Sequence, residues 1–143
     1  MTTIMDLELP RLLLDFGLMV LIWMVQLLIY PSFKHFTPTS LLKWHSRYTF
    51  HMALIVIPLM FGQLIVYAIQ VCQEQSLFNI FGMLVVLTLW ISTFLQFVPL
   101  HQKISTNSFS ERTLALLVSR NWIRVALWTA LFIYSCIDVI ADS

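Results

Sequence analysis

The sequence predicts an all-α integral membrane protein, a four-helix bundle in one domain over residues 1–143, and three observations carry that prediction. Hydrophobic residues make up 59% of the chain and charged residues 10%, against about 25% charged in soluble domains; mean hydropathy is +0.86. Four runs, about residues 12–30, 53–72, 77–98 and 122–140, each approach the roughly 20 apolar residues a helix needs to cross a bilayer. None alternates apolar and polar residues as the roughly ten-residue strands of a membrane barrel do. The third observation is the placement of charge. Lys34, Lys43, Arg47, Lys103, Arg112, Arg120 and Arg124 fall in or beside the connections from the first run to the second and from the third to the fourth. Arg11 lies at the other side with Asp6, Glu8, Asp15, Glu74, Asp138 and Asp142, leaving Glu111 among the basic residues. By the positive-inside rule both long connections face the cytoplasm and both termini the outside, the periplasm of a multi-pass protein in a bacterial inner membrane. The net charge of +1 hides this asymmetry and offers no nucleic-acid surface.

The first run follows the leader "MTTIMDLELPR", which is acidic and precedes no small-x-small cleavage site, so a retained helix is expected rather than a signal peptide. The second helix is expected to begin near Leu41, capped by Thr39 or Ser40, and to extend into the cytoplasm ahead of its apolar run. Pro58 removes one backbone donor inside it and is expected to kink it. Only "QEQS" separates the second run from the third, which makes those helices antiparallel neighbours. Cys72 and Cys136 both lie toward the outer side and are expected as free thiols, since a disulfide would require a short distance that sequence does not supply.

Polar residues inside membrane helices turn toward the bundle interior, where they find partners. Asp15, Met19, Trp23, Gln26 and Tyr30 recur at spacings of four, four, three and four, one stripe of the first helix. Thr88, Ser92 and Ser135 are read as interhelical hydrogen-bonding groups. The cytoplasmic end is richer: His35, His45, His51 and His101 all lie there, with Tyr30, Trp44, Tyr48, Asn121, Trp122 and Arg124. Histidine is both a metal ligand and a proton-transfer group. His35 follows Lys34 in a connection and is expected in solvent. His45 and His51 are six residues apart, roughly 120° around a helix and about 9 Å along it, so from a straight helix they cannot both hold one small ion, which argues against a zinc site of the HExxH kind. His51 shares a line with Trp44 and Tyr48, and its convergence with His101 is expected. Arg124, inside the fourth run, needs an anion or carbonyls around it. Trp44, Tyr48 and His51 are therefore expected to face Asn121 and Arg124 across a pocket.

Two stretches carry a resemblance. "FVPLHQKI", followed by "SRNWIRVALWTA", resembles the anthrone-oxygenase-like family of four-helix bacterial membrane proteins, and "YPSF" is similar to that family's proline-bearing exit from its first helix. Pro99, Leu100, Asn121 and Arg124 match the pattern, while His101 stands where that family usually has Asn. A looser architectural likeness is to the HemJ-type protoporphyrinogen oxidases, although the first helix here lacks the histidine those enzymes carry. The resemblance implies oxidation of a flat aromatic or quinol-like apolar molecule. On it, His51, His101, Asn121 and Arg124 are the catalytic candidates. Gln26, Trp23, Tyr30, Trp44, His45, Tyr48, Trp122 and Trp128 would bind the substrate. His51 and His101 would hold haem or a transition metal if a cofactor is used. The alternatives are a haem- or metal-binding redox protein, and a non-catalytic small subunit or assembly partner in a homo-oligomer or membrane complex. With three glycines and no glycine-rich loop there is no nucleotide signature, and the acids lie away from the histidines, against a Ser-His-Asp hydrolase.

Overall fold

The apolar runs become four helices, each long and apolar enough to cross a membrane by length and composition: α1 (Glu8–His35), α2 (Pro38–Gln73), α3 (Leu77–Ser105) and α4 (Glu111–Ala141). The structure, a computed structural model, describes residues 6–141, and no strand occurs among them; Asp142 lies outside the described residues. Every helix extends beyond its apolar run. Thr37, not Thr39 or Ser40, caps α2 by accepting from the Ser40 amide at 3.4 Å. Pro38 then occupies the first turn, where its missing N–H leaves nothing unsatisfied. Ser76 caps α3 by accepting from the Asn79 amide at 3.1 Å. The Asn79 side chain donates back to the Glu74 carbonyl at 2.9 Å, which closes the short α2–α3 connection. α4 begins at Glu111, eleven residues before the fourth run, so Asn121 and Arg124 sit in the helix interior rather than at its start.

α1 and α3 each contain one π-helical turn, Val25–Ile29 and Thr93–Phe97. The cause is legible in the residues that follow. Pro31 and Pro99 come two residues after these turns, and a proline clashes with the carbonyl four residues back, here Leu27 and Leu95 at the centre of each turn. Widening the helix there relieves the clash without ending it, and such bulges recur at functional sites. α2 instead runs as continuous helix through Pro58.

The bundle is apolar outside and polar within. Leu13, Leu28, Leu54, Phe81, Leu95 and Ile137 are among the large apolar side chains facing outward, while Arg11, Asp15, Gln63, Asn121 and Ser135 are buried. α1 packs along α4 and α2, and α2 packs along α3. Asp15 ties three of these helices together, accepting from Gln63 Nε2 at 2.6 Å, Tyr67 Oη at 2.8 Å and Ser135 Oγ at 2.5 Å. Ser135 is thus interhelical as expected; Thr88 is not, since it is exposed and donates to the Leu84 carbonyl of its own helix at 2.8 Å. Arg11, which stood apart in the charge pattern, is 1% exposed. It pairs with Asp138, donates to Gln70 Oε1 at 3.4 Å and lies over the Phe78 ring. Cys72 and Cys136 are free.

Gly82 lets α3 approach Tyr67: a Cβ there would stand 2.4 Å from Tyr67 Cε1 and 3.0 Å from Cδ1. Tyr67 is fully buried and held by Asp15, so its ring has no easy retreat. Gly82→Ala should therefore lower stability by about 1–3 kcal/mol, the usual range for overpacking, read as a fall in the unfolding midpoint in detergent. An unchanged midpoint would show that the α2–α3 contact is slack.

Candidate functional site

One face of α3 reads Thr93, Phe97, His101 and Ser105, four residues apart each time. The inward face of α2 reads Leu41, His45, Tyr48, Met52, Val56, Met60, Gln63, Tyr67 and Gln70, in steps of three and four. Where these faces meet α1 and α4 there is a cleft of about 670 Å³. Its walls are largely apolar, from Ile22, Val25, Met52, Val56, Trp90 and Phe94, and its polar groups include Tyr48, Thr93, His101 and Arg124, with Trp128 beside them.

Arg124 is 7% exposed. Its guanidinium lies 4.2 Å over the Phe97 ring and 5.1 Å from the Trp128 ring, and Nη2 donates to Thr93 Oγ1 at 3.4 Å. Thr93 gives its own proton to the Leu89 carbonyl at 2.9 Å, which leaves its oxygen free to accept. Among the described residues no carboxylate pairs with Arg124, the ion pair found there being Arg11 with Asp138, and Arg124 Nε has no partner. A cation held between aromatic faces with a donor to spare has the makings of a receptor for an oxyanion.

Beside it runs a chain of hydrogen bonds. Tyr30 Oη is 3.0 Å from His101 Nε2, His101 Nδ1 is 2.8 Å from His45 Nε2, and His45 Nδ1 is 3.3 Å from Ser105 Oγ. The two imidazoles stack with centroids 5.1 Å apart. Tyr30 directly follows the π turn of α1, and His101 lies one turn beyond that of α3.

The predicted site residues divide. Tyr48, His101, Arg124 and Trp128 line the cleft. His45 is 0% exposed and is the histidine that meets His101. His51 does not: it is exposed, and its Nδ1 lies 2.8 Å from the Arg47 carbonyl one turn back on its own helix. The reason is register, since His51 stands off the inward three-four face that includes His45. Trp44 stacks on Tyr48 at 5.1 Å from the outer side, with Phe33 edge-on to both. Asn121 is buried but bonds Gln26, donating to its Oε1 at 2.9 Å, while Gln26 donates to the Val118 carbonyl at 3.2 Å. Trp23 donates to Thr129 at 3.1 Å and meets the Trp122 ring edge-on. Tyr30 and Trp122 border a second cavity of about 840 Å³, with Lys34, Phe36 and Glu111. Trp23, Gln26, Trp44, His51, Asn121 and Trp122 do not line the cleft, and Tyr30 and His45 reach it only through their hydrogen bonds with His101; His35 is exposed, as expected. Thr93, Phe97 and Ser105 are part of the site and were not anticipated, although their spacing from His101 was there to be read.

The expected His51–His101 ligand pair for haem or a transition metal does not form. His45 Nε2 and His101 Nδ1 bond each other, His101 Nε2 bonds Tyr30 and His45 Nδ1 bonds Ser105, so these two histidines offer no uncommitted imidazole nitrogen. Among the described residues no group of three or more His, Cys, Asp or Glu is placed to hold a metal ion. No protein-family model matches the chain, nor does any curated protein or solved structure.

Proposed function

We propose that this protein is a membrane-embedded oxidoreductase that acts on a flat apolar molecule carrying a phenol or aryl ketone oxygen, quinol-like or anthrone-like, in the cleft between α2 and α3. The observation that carries this is Arg124, a buried cation without a carboxylate partner, facing the same apolar cleft as His101. Aromatic walls suit a flat ring system, and a few polar groups at one end orient it. Arg124 binds the substrate oxygen and gains strength as negative charge develops on it; His101, which lines the cleft, takes the proton. For an anthrone-like ketone the methylene C–H breaks, the proton passes to His101, and the electron pair moves to the oxygen that Arg124 holds. Dioxygen is the oxidant: one oxygen atom becomes the new carbonyl, and the other leaves as water with the two methylene hydrogens.

The outward apolar surface supports insertion in the membrane, with the His101 end cytoplasmic and both termini periplasmic on the charge pattern. The bend expected at Pro58 falls where Val56, Ile57 and Met60 line the cleft, so it would admit substrate from the bilayer. Reporter fusions at Glu74 and Ser108 test the orientation. A periplasmic signal at Glu74 and a cytoplasmic one at Ser108 are expected, and the reverse would invert the topology.

The function itself is tested by dioxygen uptake with purified protein in nanodiscs and anthrone as substrate. Uptake should be catalytic, with anthraquinone formed mole for mole and no visible absorption band from the protein. Anthrone binding without turnover would instead assign the chain to the non-catalytic subunits of a membrane complex.

A further inference from the structure

The Trp128 ring that supports Arg124 is itself held by a side chain that does not line the cleft. Gln63 Oε1 accepts from Trp128 Nε1 at 3.3 Å, and Gln63 Nε2 donates to Asp15 Oδ1 at 2.6 Å. We propose that Gln63 is a positioning residue of the site: by fixing the Trp128 indole it keeps the Arg124 guanidinium beside the cleft, and so sets a preference for rings that carry an oxyanion over plain ones. The proposal rests on the reading of Arg124 as the group that binds the substrate oxygen.

The Gln63 amide can stand only one way. An indole N–H donates and cannot accept, so the amide must turn its oxygen to Trp128, and its NH2 group is left for Asp15. Asp15 is fixed in turn, since Tyr67 and Ser135 donate to its other oxygen at 2.8 and 2.5 Å. Asp15, Gln63 and Trp128 are all buried, so solvent does not compete for these bonds. The strut therefore joins α1, α2 and α4 behind the wall of the cleft.

Arg124 needs such a support. Side chains on a helix lean toward its N-terminus, and a long cation inside a membrane snorkels toward the interface. Arg124 instead stays over the Phe97 and Trp128 rings, with Nη2 on Thr93 Oγ1 at 3.4 Å. Thr93 is anchored to the Leu89 carbonyl of its own helix, whereas Trp128 is anchored to Gln63 of another. Without that acceptor the indole N–H is stranded, and an unpaired buried donor is disfavoured strongly enough to turn the ring toward a new partner. The guanidinium then loses its support and moves away from the cleft.

The test compares two probes by equilibrium dialysis against protein in nanodiscs: 1-hydroxy-2-naphthoate, which carries an oxyanion, and naphthalene, which does not. Gln63→Leu should weaken naphthoate binding by about tenfold or more, the contribution of one hydrogen bond to a charged group, and leave naphthalene binding unchanged. Gln63→Leu also takes a donor from Asp15, so Trp128→Phe decides the matter if that variant fails to fold. Trp128→Phe keeps a ring beside Arg124 and every bond to Asp15, lacks only the N–H, and should show the same selective loss. The double variant should bind no more weakly than either single one, because two residues that act through one bond are not additive. In tryptophan-labelled protein, the indole N–H resonance absent from Trp128→Phe should lie downfield in the parent and move upfield in Gln63→Leu. Losses that add in the double variant, equal weakening of both probes, or full naphthoate affinity in Trp128→Phe would overturn the positioning role. If the parent protein binds naphthoate no better than naphthalene, the reading of Arg124 as an oxyanion receptor falls, and the role of Gln63 falls with it.

Discussion

Replacing Arg124 by leucine should abolish anthrone turnover while leaving the bundle as stable as before. The two halves of that expectation have separate causes. Removing one preorganised donor from a developing oxyanion typically costs about 10²–10³-fold in rate. Stability responds to opposed effects of similar size. A guanidinium at membrane depth is disfavoured by roughly 2.5–3.5 kcal/mol at a helix centre and less toward the interface. Against this, leucine loses cation–π contacts with Phe97 and Trp128, together about 1–3 kcal/mol, and a long hydrogen bond to Thr93. The unfolding midpoint should therefore stay close to that of the parent protein, as read by intrinsic fluorescence on heating in detergent. A variant that fails to fold would show that Arg124 is a structural group and would remove the case for an anion site.

Asp15→Ala should do the opposite, with the largest loss of stability of any single substitution considered. Single hydrogen bonds between transmembrane helices average about 0.6 kcal/mol, which alone would make the change minor. Here one deletion strands Gln63, Tyr67 and Ser135 at once, with Asp15 itself 0% exposed. Each buried donor left unpaired costs about 1–3 kcal/mol, so a loss of about 3 kcal/mol or more is expected in a denaturant titration. Gln63 also accepts from Trp128 Nε1 at 3.3 Å, so the loss reaches the wall of the cleft. Asp15→Asn keeps the shape but turns an amide donor toward groups that already donate, and should fall between the parent and the alanine variant. Equal stability of all three would mean that the network holds nothing together.

The helices were legible in the sequence because hydropathy and charge act over twenty residues at a time. Helix starts were less so. Thr37 was passed over for Thr39 and Ser40 because a cap is chosen by which hydroxyl reaches a free amide, and Pro38 settled that in favour of the residue before it. The interior stripe of α1 was legible at Asp15, Gln26 and Tyr30, all buried, because the inward face is kept through the π turn Val25–Ile29. Arg11 was not, since its partner Asp138 lies 127 residues away.

The candidate site was half legible. Arg124, His101, Tyr48 and Trp128 could be named from composition and depth, and they share the cleft. In the sequence, depth and a line through Trp44 and Tyr48 favour His51 over His45. That line tilts outward: Trp44 is 38% exposed and covers Tyr48 from outside. Following the three-four steps back from Gln70 through Gln63 and Met52 reaches Tyr48, His45 and Leu41 and bypasses His51. No local pattern showed the two π turns, because the bulge is a property of backbone hydrogen bonding. The proline at the same offset after each was visible nonetheless.

The central claim is that an aromatic molecule sits against Arg124 in the cleft between α2 and α3. Photo-crosslinking with an azido-naphthoquinone, followed by peptide mapping, tests it most directly. Labels should fall on Met52, Met60 and the Phe94–Gln102 segment, be competed away by excess anthrone, and disappear in Arg124→Leu. Labelling confined to Trp122 and the second cavity, or labelling of the cleft that persists unchanged in Arg124→Leu, would contradict the account.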